Sequence, residues 1–585
     1  MTQPVILVRP PHLNTPTGWP GVPALLERIY RARGIDDPGE LDLSLDRLCK
    51  PSDLPGLEAA VDLLSEDRDR SILVVGDYDV DGATATALAM LGLRTLGWTH
   101  VEYLIPNRLT HGYGLSETLV EEILYNRPDL ILTVDQGTTS HEGIQYARAH
   151  GIKVLVTDHH LPGVELPTAD ALVNPNLPGS TFQARTLAGV GVLFYVLIAL
   201  RARLRSGCPP STRFPLLADW LDLVALGTVA DLVPLDRNNR ILVAQGLRRI
   251  RQGQSRPGLQ ALIEVSRKQA ATITEEDLAF AVAPRLNAAG RLADMRLGVE
   301  CLLAEDPETA GALARALDEI NQRRRSVQEE VEVDALKQVV QNTLCDAPDG
   351  PGCVLFDPNW HLGILGLIAS RIKDQLHRPV FAMALAPDGE IKGSARSIPG
   401  IHIRDVLVTL DARHPHLLKQ FGGHAMAAGL TLNAGVSVEE FRVGLEGVLE
   451  PYRSACSLGP RILTDGLLPI SEITLKLASA IAEGGPWGAG FPKPVFEGRF
   501  LVERVESRSE RHCRLVLRDP EGGERFQAYG FSTSVRACAA GNPGYFLFLP
   551  VINRYGGRET LELQITDRFE VDEVQGIEHV KFGQP

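Results

Sequence analysis

The chain has 585 residues, 44% of them hydrophobic and 23% charged, with a formal charge of -14. That length supports several domains with their own cores, and that charge excludes a uniformly basic, histone-like binder while leaving room for a local basic groove. Its eight cysteines contain no CxxC pair, the nearest two being Cys345 and Cys353, which argues against a zinc ribbon or a disulfide framework and suits a reducing compartment.

Met1–Pro10 lacks the apolar core of a signal peptide. Leu187–Leu200 (LAGVGVLFYVLIAL) is too short to span a bilayer and reads as a buried core helix. A soluble, cytoplasmic protein is expected, with no membrane partner.

Residues 1–65 are Pro-rich and weakly periodic, and are expected to form an arm packed on the next domain. From residue 66 to 307 the pattern is α/β, turning mostly helical toward its end. Ser71–Val75 (SILVV) runs into Gly76-Asp77-Tyr78-Asp79-Val80-Asp81-Gly82, Leu130–Val134 (LILTV) into Asp135, and Lys153–Val156 into Thr157-Asp158-His159-His160. Short β-branched runs of this kind predict buried parallel strands, and ligands of such sheets bind outside the carboxyl ends. Leu221–Asp231 (LDLVALGTVAD) offers one more carboxylate; Asp231 is preferred over Asp222 because it follows Gly-Thr at an expected loop.

Residues 308–346 are rich in helix formers and predict a long, solvated connecting helix. Ala347–Gly352 (APDGPG) is a break. Residues 347–455 form a second α/β pattern, containing Asn359–Gly366 at a helix start, Lys392–Ser397 (KGSARS) and Phe421–Gly429 (FGGHAMAAG). Residues 456–585 carry five short strand patterns, at Val495–Val505, His512–Arg518, Arg525–Gly530, Tyr545–Val551 and Thr560–Thr566. Their spacing predicts a small closed sheet, an OB-like barrel.

Asp77, Asp79 and Asp81 alternate, so in an extended segment they project to one side. Carboxylates so close repel each other unless a cation neutralises them. A calcium loop is the alternative; Gly82 falls sixth from Asp77 as an EF-hand requires, but Leu88 stands where its Glu belongs. Asp135 alone could be a helix cap, and gains weight from sitting at the same end of the sheet. Adjacent side chains diverge, so His159 and His160 divide naturally into one imidazole on a metal and one on a substrate phosphate, with Asp158 steadying a ring. A structural zinc site would lack Cys partners. Mixed carboxylate and imidazole ligands suit manganese, or magnesium, and two ions sharing a carboxylate fit phosphoester hydrolysis.

Arg108, Arg285, Ser394 and Arg396 are candidate phosphate contacts, the alternative for each Arg being an ordinary salt bridge. Gly422-Gly423 allows close approach of a strand, with His424 as a polar contact, or is only a tight turn. Arg323–Arg325 on the long helix could track a nucleic-acid backbone or form a solvated face. Phe526, Tyr529, Phe531 and Tyr545 are either stacking surfaces or core.

Asp77–Gly82, Asp135, Asp158–His160 and Gly227–Asp231 resemble the four motifs of the DHH phosphoesterases, and Gly422–Gly429 resembles the glycine-rich motif of the companion DHHA1 domain. Asn359–Gly366 with Ala369-Ser370-Arg371, Asn107-Arg108 with Gly112–Leu115, Ala283–Arg291 (APRLNAAGR) and Lys392–Ser397 resemble the bacterial RecJ-like branch, so that the likeness covers nearly the whole chain. It implies a parallel-sheet DHH domain joined by a long helix to an α/β DHHA1 domain, plus an OB-like nucleic-acid-binding domain. It implies a Mn2+- or Mg2+-dependent exonuclease, with two ions, that degrades single-stranded DNA 5′→3′ to 5′-mononucleotides in DNA repair and recombination. Asp79, Asp81, Asp135, His159 and Asp231 would hold the metals. Asp77, Asp158 and His160 would be catalytic groups, His160 on the scissile phosphate. Arg285, Ser394 and Arg396 would take the 5′ phosphate, with Arg108, Gly423 and His424 also lining the substrate path. Gln136 departs from the Asn that many relatives carry there. By analogy the partners are a single-strand-binding protein and a helicase, and the chain is a monomer. Rival readings are a small-nucleotide phosphodiesterase or phosphatase of the same superfamily, and a non-catalytic single-strand-binding scaffold.

Overall fold

The computed structural model describes residues 5–9, 18–107, 111–209, 211–341, 350–457, 461–508, 512–554 and 557–569. Arg108 lies outside them. The described residues divide into two compact units, one drawn from 5–8 and 322–464, the other from 9–321 and 465–569. Strand β1 (Val5–Val8) belongs to the first of these.

The larger unit is built on β2 (Ile72–Val75), β3 (Val101–Leu104), β4 (Leu130–Val134), β5 (Lys153–Thr157) and β6 (Ala171–Val173), all parallel, in the order β3-β2-β4-β5-β6. Alternate residues serve opposite faces. Ile72, Val74, Leu130 and Leu132 join a core with the helices Leu57–Ser65 and Gly189–Ser206, while Leu73, Val75, Ile131 and Val154 pack with Leu119, Ile123 and Ile144. With both faces covered, the strands read as unbroken apolar runs. Helix Gly189–Ser206 is the buried apolar segment expected from the sequence, and among the described residues no helix is long and apolar enough to cross a membrane.

The N-terminal region is more integral than an arm. Trp19, Leu26, Ile29, Tyr30 and Ile35 are buried in the core that also lines the C-terminal barrel. That barrel closes in the order β13-β14-β15-β17-β16, from β13 (Phe496–Arg508), β14 (Cys513–Arg518), β15 (Arg525–Gly530), β16 (Pro543–Asn553) and β17 (Thr560–Phe569). Phe496, Phe500, Phe546 and Phe548 fill it, and Phe526 and Tyr545 are buried too, Tyr545 donating to Glu497. Of the four candidate stacking aromatics only Phe531 is well exposed, at 58%. The segment leading into the barrel is tied to the rest of its unit by Leu235 N to Ala489 O (2.7 Å), Trp487 N to Glu275 Oε1 (3.1 Å) and the Arg33–Asp465 ion pair (2.8 Å).

Helix Pro307–Gln341 begins in the larger unit and continues into the smaller. Its first half is less solvated than expected: Ala310, Ala314, Leu317 and Asn321 form a buried stripe at helical spacing. The smaller unit carries β7 (Cys353–Phe356), β8 (Val380–Leu385), β9 (Ile391–Arg396), β10 (Leu418–Gly423) and β11 (Ala427–Leu432), in the order β10-β11-β9-β8-β7. Only the β7–β8 pairing is parallel. In the same unit β1 pairs in parallel with β12 (Arg461–Thr464). Cys353 is disulfide-bonded, a pairing the dispersed cysteines gave no reason to expect; Cys49, Cys208, Cys301, Cys456, Cys513 and Cys538 are free.

Candidate metal centre

The sheet order reverses beside β2: the chain leaves it for β3 on one side and returns to β4 on the other. Such a reversal opens a crevice at the carboxyl ends of the two strands. Asp77, Asp79 and Asp81 follow β2, Asp135 follows β4, and Asp158-His159-His160 follow β5. Asp79 caps helix Val80–Leu96, accepting from Gly82 N at 3.0 Å. Asp81 accepts from Gly189 N (2.6 Å) and Val190 N (3.0 Å), the first turn of helix Gly189–Ser206, where the helix dipole favours a carboxylate. That approach requires glycine: a Cβ on Gly189 would stand 2.5 Å from Asp135 Oδ1, and one on Gly227 2.9 Å from Asp81 Oδ1. Asp135 itself sits at φ 61, a left-handed conformation that Asp tolerates better than most residues.

The side chains converge. His159 Nε2 lies 3.2 Å from Asp135 Oδ1, 3.5 Å from Asp231 Oδ2 and 4.0 Å from Asp81 Oδ2. Three overlapping sets, Asp81/His159/Asp231, Asp77/Asp79/Asp135 and Asp135/His159/His160, each bring their ligand atoms within 4.8 Å of one another and could hold a metal ion. Asp135 is common to two of them. Burial, and then the mutual charges of Asp81, Asp79 and their neighbours, push the carboxyls of Asp135 and Asp231 well above the ordinary carboxylate range. Burial, and then Asp79, hold Asp81 up to about 7. Asp135 Oδ1 is buried and no hydrogen bond reaches it. A buried acidic cluster with an unsatisfied acceptor, one imidazole among its oxygens and Asp231 a quarter exposed at its open side fits divalent cations of the manganese and magnesium kind.

Asp158 is spent differently. It accepts from Thr138 N (2.9 Å), His159 N (2.7 Å) and His160 N (3.1 Å), and His160 Nδ1 lies 2.7 Å away. Burial opposes its ionisation, yet the hydrogen bond and charge of His160, with the charge of His159, hold it well below the usual carboxylate range. Burial likewise opposes the charge on His160, but the Asp158 hydrogen bond and the surrounding carboxylates raise it to about 9.

Sequence reasoning missed the groups that fix this loop. Asn174 Nδ2 donates to His160 O (2.8 Å) and Thr138 Oγ1 (2.9 Å), and Asn176 Nδ2 donates to His159 O (2.7 Å). The signal was available, since Asn174-Pro175-Asn176 follows β6 at the same end of the sheet. The half-exposed Tyr113 places its hydroxyl 3.2 and 3.3 Å from the two ring nitrogens of His160. Gln136 Nε2 donates to Gly76 O (2.6 Å), stapling the β4 loop to the β2 loop.

Asp231 closes the cluster from the end of helix Leu221–Ala230, so its Gly-Thr lies in helix rather than in the expected loop. Asp222, at the other end of that helix, is spent on Leu223 N (2.9 Å) and Arg256 N (2.8 Å). Arg285, an expected phosphate contact, has its guanidinium against Asp318 Oδ1 (2.8 Å), Ala281 O (2.5 Å) and Val265 O (3.1 Å). Its motif also matters for packing, since a Cβ on Gly290 would stand 1.9 Å from Tyr78 O, which sets helix Ala283–Leu292 against the acidic loop.

In the smaller unit, Arg396 Nη1 donates to Ser394 Oγ (3.1 Å) and Ala395 O (2.9 Å). Gly366, at the start of helix Leu365–Leu376, lets that helix close on them: a Cβ there would be 2.7 Å from Arg396 Nη2 and 3.1 Å from Ser394 Oγ. Across the sheet Ser394 is opposite Gly429, and Gly429 opposite Gly422, a lane without side chains beside the hydroxyl. Gly423 (φ 143) and His424, whose N–H donates to Ala427 O (2.8 Å), close the hairpin, so a tight turn accounts for their backbone.

A carboxylate–imidazole cluster on a parallel sheet, a mixed sheet with a glycine hairpin, and a closed barrel define a DHH phosphoesterase with a DHHA1 domain and an OB domain. The models of the DHH family N-terminal domain, the DHHA1 domain and the RecJ OB domain match residues 71–228, 349–450 and 464–567. The chain is 47% identical to the single-stranded-DNA-specific exonuclease RecJ of Dickeya dadantii (strain 3937), over 87% of this chain and 89% of that protein. It is 44% identical to that of Escherichia coli (strain K12) over the same shares, 87% and 89%. The chain belongs to the RecJ family. The crystal structure of RecJ in complex with Mn2+ from Thermus thermophilus is similar at a TM-score of 0.79 and 30% identity, covering 97% of this chain and 79% of that one; the Mg2+ complex is similar at 0.73 and 29%, covering 96% and 78%.

Proposed function

We propose that the protein is a metal-dependent exonuclease that degrades single-stranded DNA from the 5′ end to 5′-mononucleotides. The observation that carries this reading is the convergence of Asp77, Asp79, Asp81, Asp135, Asp231, His159 and His160 into overlapping ligand sets. Asp79, Asp81, Asp135, His159 and Asp231 are the residues that would hold two cations, with Asp77 supporting. When bound, Mn2+ or Mg2+ supplies a water nucleophile at neutral pH and charge stabilisation for an in-line displacement.

The protein's own groups do the rest. His160 stands beside the cluster as a cation held by Asp158, suited to a non-bridging oxygen of the scissile phosphate. The Asp158, Asn174 and Asn176 hydrogen bonds fix the backbone that aims it. Ser394 and Arg396 are the proposed seat of a 5′ phosphate, with the bare strands of Gly422, Gly423 and Gly429 and with His424 at the hairpin. Arg285, held by Asp318 and two carbonyls, is a further candidate for that phosphate. Phosphate contacts carry no sequence code, so degradation should be indifferent to base identity. The OB barrel favours a polymer over a small nucleotide. The family resemblance suggests a cytoplasmic role in repair and recombination beside a single-strand-binding protein and a helicase.

The test is digestion of a 5′-phosphorylated single strand, labelled at either end, with Mn2+ or EDTA. The expected result is Mn2+-dependent release of mononucleotides from the 5′ end and no attack on blunt duplex. Tight binding without release would favour the scaffold reading, and cleavage of dinucleotides alone the small-substrate reading.

A further inference from the structure

Leu232 follows Asp231 in a left-handed conformation that leucine rarely adopts. Its φ is 59, in the left-handed region, and its side chain is 57% exposed. The other described non-glycine residues at positive φ are Arg127, Asp135, Arg267 and His377, all polar. Arg127, Arg267 and His377 each lie just beyond a helix, where this conformation is common, and Asp135 belongs to the cluster. Leu232 also lies just past a helix, Leu221–Ala230, where glycine is the usual choice because a Cβ is strained there. Its neighbours on both sides do bury, Val229 and Leu235 at 6% and 4%. The segment is pinned at each end, by Asp231 N to Gly227 O (3.0 Å) and Leu235 N to Ala489 O (2.7 Å). Leu232 therefore keeps a strained backbone and an exposed apolar side chain together, next to the open, solvent-facing member of the cluster.

Strained backbone of this kind clusters at active sites. Leu232 follows Asp231 directly in the chain, so its exposed isobutyl group is carried on the segment that supplies the solvent-facing member of the cluster. We infer that Leu232 is a substrate contact, packing on the nucleobase beside the phosphodiester that the acidic cluster holds. The inference rests on the exonuclease reading. An isobutyl group has neither donor nor acceptor, so it grips every base alike and preserves sequence tolerance.

The experiment compares the full-length protein with its Leu232→Gly and Leu232→Asn variants, in Mn2+, on two 5′-phosphorylated single strands. One strand has ordinary bases, and the other lacks the bases of its two 5′-terminal nucleotides. Thermal unfolding is followed in parallel. Both substitutions suit the left-handed backbone, so Tm should hold or rise. On the ordinary strand kcat/KM should fall about fivefold, the scale of one lost apolar contact. On the abasic strand it should fall by less than half as much, so the wild-type preference for the ordinary strand shrinks. Unchanged kcat/KM on the ordinary strand, an equal loss on both strands, or a fall in Tm alongside activity would each overturn the inference. Failure of the wild-type protein to degrade either strand would instead overturn the exonuclease reading on which it depends.

Discussion

At the carboxyl ends of β2, β4 and β5 the larger unit gathers Asp77, Asp79, Asp81, Asp135, Asp231 and two imidazoles. On β9 and β11 of the smaller unit the corresponding chemistry is a hydroxyl, a guanidinium and glycines, at Ser394, Arg396 and Gly429. The first site is overcharged with like charges in a buried setting, and its carboxyls rise until a cation relieves them. The second has positive charge and close backbone approach, the chemistry that suits an anion. On the proposed reading, the strand end lined with acids would carry cleavage and the strands lined with donors would take the 5′ phosphate.

The strongest way to break that division is to disable the acidic side alone. Asp135→Ala should lower exonuclease turnover by at least ~10³-fold, the several kcal/mol that bound cations contribute, while 5′-phosphorylated single strands still bind; a gel-shift and a turnover assay on the same preparation check it. Disabling the other side should act on recognition. Arg396→Ala should lower kcat/KM for 5′-phosphorylated strands ~10- to 100-fold, as a lost charged hydrogen bond of ~1.5–3 kcal/mol predicts, and lower it much less for 5′-hydroxyl strands. If both ends suffer equally, Arg396 braces the sheet and does not read the phosphate.

Between these lies the support of the cluster. Asp158→Asn removes the charge that aligns His160 and should cost ~10- to 100-fold in activity, with Mn2+ affinity changing less than turnover. How firmly protons and cations compete is set by burial and by Asp79, which hold the Asp81 carboxyl up to about 7 in the cation-free protein. A raised carboxyl favours the folded state while protonated, so cation-free stability declines as pH rises from the ordinary value of 3.8 through about 7. Mn2+ must displace that proton. The Tm gain on adding Mn2+ should therefore grow between about pH 6 and about pH 8, and a gain that shrinks over that range would contradict the cluster's electrostatics. The smallest effect is expected at Gln136→Asn, which shortens the reach to Gly76 O and should cost about one hydrogen bond of stability, ~1 kcal/mol, seen as a small fall in Tm, with activity changed only severalfold.

Much of the fold was legible because its signals are local. The runs at 72–75, 130–134 and 153–157 are apolar on both faces, and the turn-separated strands after residue 495 recur at barrel spacing. The cluster was legible because its acids follow strands directly, and strand polarity alone puts them together. What stayed hidden depends on long-range partners. Nothing near Arg285 announces Asp318, 33 positions on, so its burial was invisible in the sequence. Asn174 and Asn176 carry no charge pattern, and their importance appears only once β6 is seen beside β5. The strain at Leu232 is a backbone property that its side chain does not advertise.

The measurement that tests the central claim most directly is titration calorimetry of the full-length protein with Mn2+, beside the Asp135→Ala variant. Two ions bound per chain, with the pair lost or reduced to one weak ion in the variant, is the result expected of a cluster whose sets share Asp135. A single ion in both proteins, or two ions unaffected by the substitution, would contradict it.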